Sequence, residues 1–191
     1  MISHPIIKQI LFNHKEIITR IKILAKIISQ HYKNNKKPLI IVGLLKGCIP
    51  FLSELILHLT ITCEIEFMCV SSYKGEKKSI TNPVIVMDIK TDINNRDLLI
   101  VEDIIDSGAT LKVIKEYLFI KGAKTVKVIT LLDKPLGRTV KLNADWVGFN
   151  VPNEFLIGYG LDYKECFRNL PYIASTTKEK LDNFDLIDFK K

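Results

Sequence analysis

Residues 98–111 constrain the fold more than any other part of this chain. Four apolar residues, 98–101, are followed directly by the adjacent carboxylates Glu102 and Asp103, and the pattern becomes helical only from Leu111. An uninterrupted apolar run of this kind is typical of a strand that is buried on both faces of a sheet. The segment therefore predicts a buried strand, then a short acidic loop, then a helix, which is the repeating unit of α/β proteins.

The residues between this strand and this helix are suited to bind a phosphorylated sugar. A helix that begins near Ala109 presents unpaired N–H groups and a partial positive charge, both of which favour a phosphate. Gly108 allows the backbone to approach a ligand closely, and the hydroxyls of Ser107 and Thr110 can donate to phosphate oxygens. The two carboxylates before them would repel a phosphate. Their position is better explained if they face sugar hydroxyls and a hard divalent cation, which prefers oxygen ligands.

Strands and helices alternate along the rest of the chain. Asn13, with Glu16 three residues later, resembles a capping box and precedes apolar residues at helical spacing. Apolar runs predict strands over residues 38–45, 63–71, 84–89, 98–101 and 126–132, and helices over 49–59 and about 109–121. This order predicts an α/β fold with a largely parallel central sheet flanked by helices. Ligands of such folds collect beyond the carboxyl ends of the strands.

Size and charge narrow the class of protein only loosely. The chain has 191 residues, of which 47% are hydrophobic, so it is long enough for one well-filled core. A net charge of +7 favours anionic partners, and polyphosphate substrates explain it as well as nucleic acid does. We find no regular interleaving of aromatic and basic residues, so a nucleic-acid partner is not expected. The basic stretch at residues 33–37 is interpreted as a solvated loop.

Other sequence features indicate a cytoplasmic protein with no membrane segment. The four cysteines, at positions 48, 63, 69 and 166, have no zinc-type spacing and are interpreted as reduced. The first residues lack the pattern of a signal peptide, and no apolar run approaches the ~20 residues that span a bilayer. The four histidines lie outside every motif described here, so no histidine-based mechanism is expected.

Five segments, taken in order, resemble the type I phosphoribosyltransferase family, and specifically its hypoxanthine-guanine branch. The segment 101–108 resembles the signature that binds phosphoribosyl pyrophosphate (PRPP), and the others are 43–47, 71–73, 131–135 and 145–162. The resemblance covers about residues 42–173. It implies an α/β fold with a small hood subdomain built from both chain ends over the base site. The division would be one domain over 1–191, with a core at about 38–135 and the hood from about 1–12 and 136–191.

The resemblance also assigns roles to individual residues. Those expected to bind PRPP and its ribose phosphate are Glu102, Asp103, Asp106, Ser107, Gly108, Ala109 and Thr110, with Asp106 as the catalytic base. The pyrophosphate is expected to be bound by Leu45, Lys46, Gly47 and Arg168. The purine would be bound by Lys134, Phe155, Leu156 and Asp162, and Mg²⁺ by Glu102, Asp103 and Asp162. Ser72 and Tyr73 would begin a mobile lid.

The implied reaction transfers phosphoribose from PRPP to hypoxanthine or guanine, with release of pyrophosphate. Lys134 would donate to the O6 atom of the purine, since an ammonium group only donates hydrogen bonds. A homo-oligomer, dimer or tetramer, is expected, and a membrane partner is not. The lid differs from the bacterial pattern because residues 74–83 are richer in lysine and poorer in glycine.

Two other classes of function remain open from the sequence. One is a phosphoribosyltransferase for xanthine or a pyrimidine, and the other is a non-catalytic relative that senses nucleotides and binds RNA. The pairing of Lys134 with Phe155 argues against a pyrimidine. A non-catalytic sensor is disfavoured by the complete set of Glu102, Asp103, Asp106 and Arg168. Xanthine is harder to exclude, because the purine 2-position would be read by backbone carbonyls and waters. A Walker site is excluded at Gly47 because no Gly-Lys-Ser/Thr sequence follows.

Overall fold

The computed structural model describes residues 5–72, 83–182 and 184. Its strands are β1 (Gln9–Phe12), β2 (Leu39–Leu45), β3 (Cys63–Ser72), β4 (Pro83–Met87), β5 (Asp97–Ile105), β6 (Thr125–Asp133), β7 (Trp146–Asn150), β8 (Phe155–Ile157) and β9 (Ile173–Thr176). Its helices are α1 (His14–Tyr32), α2 (Ile49–His58), α3 (Ala109–Ile120) and α4 (Lys178–Asp182), and a 3-10 turn spans Pro135–Gly137.

Six of these strands form the central sheet, in the order β4-β3-β2-β5-β6-β7. The four neighbouring pairs from β3 to β7 are all parallel, and only the edge strand β4 runs antiparallel to its neighbour. The sheet is therefore largely parallel, and the predicted α/β fold is confirmed. Because parallel strands end at the same edge, the loops after β2, β5 and β6 meet there.

Helices cover both faces of this sheet. The alternating residues Leu99 and Val101 of β5 pack with α1 and α2, whereas Leu98 and Ile100 pack with α3 on the other face. The first helix begins as predicted: Glu16 N–H donates to Asn13 Oδ1 at 3.1 Å, and Asn13 N–H donates to Glu16 Oε2 at 2.8 Å. Double-sided burial explains why the strands are continuous apolar runs rather than alternating ones.

A second, three-stranded antiparallel sheet joins segments from both ends of the chain, in the order β1-β9-β8. Its own small core includes Ile6, Ile157 and Ala174, all of them buried. The hood subdomain that the resemblance implied is thus present. Strand β7 falls within the range predicted for the hood, but it pairs in parallel with β6 and extends the central sheet. The boundary between core and hood at residue 136 stays a prediction.

The predicted end of the strand at residues 98–101 is wrong, because β5 is longer than its apolar run. The expected strand ended at Val101, whereas β5 continues to Ile105 and contains Glu102 and Asp103. The strand β5 stays paired with β6 as far as Ile105, which lies opposite Asp133. This pairing joins main-chain groups, so charged side chains do not prevent it. Pairing with β2 stops at Val101, so the carboxylates belong to a part of the strand that only β6 flanks.

Two glycines lie where the backbone or the packing favours a residue without a side chain. Gly43 is a residue of β2, within the strand predicted over residues 38–45. A Cβ atom there would lie 2.8 Å from Leu52 Cδ2, so glycine allows α2 to pack closely. Gly122, with φ of 98°, follows the last turn of α3 and fits a left-handed cap.

The cysteines are free, with Cys48 buried and Cys63, Cys69 and Cys166 half-buried. Within residues 5–72, 83–182 and 184, no helix combines the length and the apolar character needed to cross a bilayer. The last helix, α4, is only five residues long and packs Leu181 into the core of the smaller sheet.

Candidate active site

The predicted site residues lie where β2, β5 and β6 end at the carboxyl edge of the central sheet. The turn after β2 contains Lys46 and Gly47, and the segment after β5 begins at Asp106. Lys134 directly follows β6, and its N–H donates to Ile105 O at 3.0 Å. Three segments that are distant in sequence therefore form one site at this edge.

The segment after β5 forms a concave phosphate-sized site against the start of α3. Gly108 is the residue before the helix and has φ of 78°, a left-handed conformation that glycine adopts without strain. Gly108 supplies no side-chain cap to α3, and Ala109 N–H donates to Ser107 Oγ at 3.4 Å, a long hydrogen bond that a ligand can displace. A cavity of about 220 Å³ is lined by Glu102, Ile104, Ile105, Asp106, Ser107, Gly108, Thr110 and Leu111. Ala109 is the first residue of α3 and stands in the sequence between two residues that line this cavity, Gly108 and Thr110.

The adjacent carboxylates Glu102 and Asp103 carry a poorly compensated negative charge. Burial raises the pKa of Glu102 well above its usual value, and the charge of Asp103 raises it further. Burial also raises the pKa of Asp103, against the opposing effects of its hydrogen bonds and of Arg168. The same two carboxylates add to the effect of burial on Cys48, whose thiol pKa rises to about 12. A cation or sugar hydroxyls at this position would relieve the repulsion.

The turn after β2 packs tightly against Asp103 and against the segment after β8. The peptide bond between Leu45 and Lys46 is cis. A Cβ atom on Gly47 would lie 1.6 Å from Asp103 Oδ2, so a larger residue here would displace this carboxylate. A Cβ atom on Gly160 would lie 2.0 Å from Gly47 O, so the two glycines hold the turn against the segment after β8.

Arg168 lies at the centre of a charged network that reaches the same turn. Its Nη1 donates to Gly160 O at 2.7 Å, and its Nη2 lies 2.8 Å from Asp162 Oδ1. Glu165 accepts from Lys46 Nζ at 2.7 Å and lies 3.3 Å from Arg168 Nη2. Arg168 and Lys46, both predicted to bind pyrophosphate, are thereby linked through Glu165.

The residues predicted to bind the purine lie in two groups. Lys134 is 8% exposed, and its Nζ lies 3.0 Å from Asp106 Oδ2. Phe155 begins β8 and is half-exposed, with its ring centroid 6.0 Å from that of Tyr163 in an edge-to-face arrangement. Leu156 is buried in the main core.

The predicted metal ligands are not gathered into one cluster. Among the described residues, no group of three or more His, Cys, Asp and Glu side chains forms a metal centre. Glu102 and Asp103 adjoin each other, whereas Asp162 pairs with Arg168 and accepts from Glu165 N–H at 2.9 Å. For the lid, Ser72 ends β3 and Tyr73 lies outside the described residues.

Two further side chains at the site were missed by the sequence analysis. Arg138 donates to the carbonyls of Ile105 and Asp106, and it pairs with Asp133 at the end of β6. Asp133 belongs to a segment that carried the resemblance, but no role was assigned to it. The sequence around Arg138 does not indicate these contacts, because they depend on how its irregular segment folds back onto the end of β5.

Comparisons with known proteins agree with this geometry. Residues 9–164 match the model of the phosphoribosyl transferase domain family. The chain is 49% identical to the hypoxanthine-guanine phosphoribosyltransferase of Lactococcus lactis over 168 residues, which is 88% of this chain and 90% of that protein. It is 46% identical to the protein of the same name from Streptococcus pyogenes over 173 residues, 91% of this chain and 95% of that protein.

Solved structures give the same result in three dimensions. A hypoxanthine phosphoribosyltransferase from Staphylococcus aureus superposes with a TM-score of 0.87 at 41% identity, and the match covers 94% of this chain and 97% of that one. A Trypanosoma cruzi hypoxanthine phosphoribosyltransferase with its ternary substrates gives a TM-score of 0.88 at 36% identity, with coverage of 93% and 100%. The similarity extends over both sheets.

Proposed function

The chain belongs to the phosphoribosyltransferase family, and on this premise we propose that it transfers 5-phosphoribose from PRPP to a 6-oxopurine, hypoxanthine or guanine. The bond between the anomeric carbon and the pyrophosphate oxygen breaks, and a bond to N9 of the purine forms. Pyrophosphate leaves with the bonding electrons, and the purine loses one ring proton. The products are IMP or GMP, so the reaction belongs to purine salvage.

The observation that carries this proposal is the distance of 3.0 Å between Lys134 Nζ and Asp106 Oδ2. A 6-oxopurine presents an acceptor, O6, and a ring N–H, at N7, on the same edge. An ammonium group can only donate and an ionised carboxylate can only accept, so this pair matches that edge. Adenine presents a 6-amino donor to the lysine and would leave a buried donor unpaired, which selects against it.

The remaining residues support positioning and electrostatic stabilisation, which dominate such a reaction. The anomeric carbon develops positive charge as pyrophosphate leaves, and the carboxylates of Glu102 and Asp103 would hold the ribose hydroxyls beside it. The N–H groups at the start of α3, with Ser107 and Thr110, would bind the 5-phosphate. Asp106 would take the ring proton of the purine. Arg168 and the turn at Lys46 would bind the departing pyrophosphate.

The donor set at Glu102 and Asp103 fits Mg²⁺. Their oxygens are the hard ligands that this ion prefers, and burial is the main cause of their raised pKa values, a cost that a divalent cation offsets by stabilising the ionised carboxylates. Asp162, already paired with Arg168, would support the same ion through the pyrophosphate side of the site. When bound, Mg²⁺ neutralises the pyrophosphate and makes it a better leaving group.

We predict that turnover depends strictly on a divalent cation. Assays in excess chelator should fall to background, and added MgCl₂ should restore the rate. The melting temperature gives an independent measurement, since PRPP should raise it with Mg²⁺ present and much less in chelator. Full turnover in chelator would show that the assigned carboxylates do not hold a required ion.

The function itself is tested with PRPP, MgCl₂ and five bases: hypoxanthine, guanine, xanthine, adenine and uracil. We expect pyrophosphate release with hypoxanthine or guanine, and rates near background with adenine and uracil. A preference for xanthine or uracil would assign the chain to another specificity. PRPP binding without turnover of any base would indicate a sensor rather than an enzyme.

Replacing Lys134 by alanine should mainly weaken purine recognition. A hydrogen bond to a charged group contributes about 1.5–3 kcal/mol, so the K134A variant should lose roughly 10–150-fold in kcat/KM for hypoxanthine. The KM for PRPP should change little, since the phosphate site is formed by other residues. Steady-state kinetics with each substrate varied in turn would measure both effects.

The matched control is Lys127→Ala. Lys127 is a partly buried lysine of β6 whose Nζ lies 2.7 Å from Asp145 Oδ1. This variant should keep both KM values. If K134A leaves the purine KM and the discrimination against adenine unchanged, Lys134 does not read O6.

We also propose a homo-oligomer, dimer or tetramer, in the cytoplasm. Exposed apolar side chains support association, among them Ile23 and Ile27 on α1 and Val86 on the edge strand β4. The free cysteines fit a reducing compartment. Light scattering after size-exclusion chromatography distinguishes the oligomer from a monomer.

A further inference from the structure

The guanidinium group of Arg138 joins the end of β6 to the backbone that carries the proposed catalytic base. Its Nη1 donates to Ile105 O at 2.8 Å and to Asp106 O at 2.6 Å, and its Nη2 donates to the carboxylate of Asp133. The side chains of Arg138 and Asp133 are only 15% and 16% exposed. The arginine is therefore committed to these three acceptors.

The backbone on both sides of Arg138 is hydrogen-bonded to the segment that contains Asp106. Lys134 N–H donates to Ile105 O, and Thr139 N–H donates to Ser107 O, both at 3.0 Å. A Cβ atom on Gly137 would lie 1.9 Å from Asp106 Oδ1, so the 3-10 turn lies directly against this carboxylate. The segment that carries Lys134 and the segment that carries Asp106 thus form one unit.

The side chain of Asp106 is 53% exposed, and its carboxylate pairs with Lys134. Its position depends on its backbone, which has left the sheet after Ile105. A guanidinium group has several N–H donors in a rigid fork and can bind two carbonyls and a carboxylate at once. A lysine ammonium at the same position is a single point of charge and cannot hold this arrangement.

We propose that Arg138, oriented by Asp133, is a positioning residue for the transfer reaction. It fixes the backbone of Asp106 relative to Lys134, so that the proton acceptor and the O6 donor meet the same purine edge. Arg138 acts through Asp106 and needs no contact with the substrate. This inference rests on the proposed function.

The first test is Arg138→Lys in the full-length protein, which keeps the charge and loses the fork. Misplacing a reacting group by about 1 Å can cost about 10²-fold in rate. We expect kcat to fall by about that factor, while the KM for PRPP changes no more than a few-fold because Thr139 still holds Ser107 through its backbone. In Arg138→Ala, added guanidinium ion should restore part of the lost rate.

A double variant separates positioning from a general loss of structure. If Arg138 acts through Asp106, its replacement should cost little more once Asp106→Asn has removed the base. The two losses in kcat should then be far from additive. Losses that multiply in the double variant would overturn the proposal.

Arg20→Lys is the matched control, because Arg20 also donates to two backbone carbonyls, Gly148 O and Val147 O, each at 2.8 Å. It lies on α1 and contacts β7, so its replacement should lower the melting temperature but not kcat. An equal fall in kcat in both arginine variants, or an unchanged kcat in R138K, would contradict the positioning role. If R138K does not fold, Asp133→Asn supplies the same comparison of kcat. It keeps Arg138 but removes the charge of the carboxylate that orients its guanidinium group.

These outcomes are distinct from a failure of the proposed function. The wild-type protein must first show transfer to a 6-oxopurine. An active wild-type with an R138K variant of equal kcat rejects the positioning role alone, whereas an inactive wild-type rejects the proposed function.

Discussion

Replacing Asp106 by asparagine should lower kcat by about 10²–10⁴-fold, the usual contribution of general base catalysis. Asparagine keeps the size and shape of the side chain but cannot accept a proton at neutral pH. Affinity for PRPP should change little, because the residues proposed to bind the 5-phosphate are those that follow, from Ser107 to Thr110. The measurements are kcat against pH and the affinity for PRPP by titration.

The dependence of this loss on pH tests the role directly. Hypoxanthine and guanine lose a ring proton more readily at alkaline pH, so a base is needed less and the deficit should shrink there. Asp145→Asn is the control, since it weakens a comparable pair with Lys127 at 2.7 Å without touching the site. A deficit that is constant with pH and accompanied by lost PRPP binding would make Asp106 structural.

The geometry already weakens one structural explanation of Asp106. A carboxylate two residues before a glycine can cap the following helix, and losing such a cap costs ~1 kcal/mol. The residue before α3 is Gly108, however, and the first N–H of the helix, that of Ala109, donates to Ser107 Oγ at 3.4 Å. Asp106 instead pairs with Lys134. The melting temperature of D106N therefore should not reflect a lost cap.

Gly160→Ala should disable the site through its backbone. The new Cβ atom would lie 2.0 Å from Gly47 O, and φ at this position is 101°. A non-glycine residue in such a conformation costs about 1–3 kcal/mol, and the overlap adds to it. We expect a loss of about 2–4 kcal/mol in the free energy of unfolding, which lowers Tm by roughly 6–12 °C. The displaced turn at Lys46 should also raise the KM for PRPP.

Gly122→Ala provides the comparison, because its φ of 98° imposes nearly the same backbone strain. Its Cβ atom would meet the side chain of Asn94 at 2.9 Å, at the far end of α3. Thermal unfolding should show both variants destabilised, whereas only Gly160→Ala should change the KM for PRPP. Equal KM values for the two would mean that the turn does not bind pyrophosphate.

Part of the fold and of the site is predictable from the sequence for physical reasons. The buried strand β2 has no polar side chain, because helices cover both faces of the sheet and water is excluded from it. The start of α1 follows from Asn13 and Glu16, whose side chains satisfy each other's backbone N–H groups. The segment from Asp106 to Thr110 is also local, since a glycine and two hydroxyls at the start of a helix suit a phosphate whatever surrounds them.

The end of β5 was not predictable from the local pattern. Glu102 and Asp103 look like loop residues because they are charged, yet they lie in a strand whose backbone still pairs with β6. Whether a carboxylate lies in a strand or a loop depends on the neighbouring strand, which is about 30 residues away in the chain. The network from Lys46 through Glu165 to Arg168 likewise joins residues more than 100 positions apart.

The sequence by itself determined the α/β class and the family, and it predicts the phosphate-binding segment. Each of these depends on residue types at short spacing, and such patterns are visible in the sequence without knowledge of the fold. Only the tertiary structure decided that Arg138 donates to the backbone carbonyl of Asp106 and that Gly160 lies against Gly47. Such contacts depend on where a turn folds back, and the free energy that directs it is spread over the whole core rather than encoded at either residue.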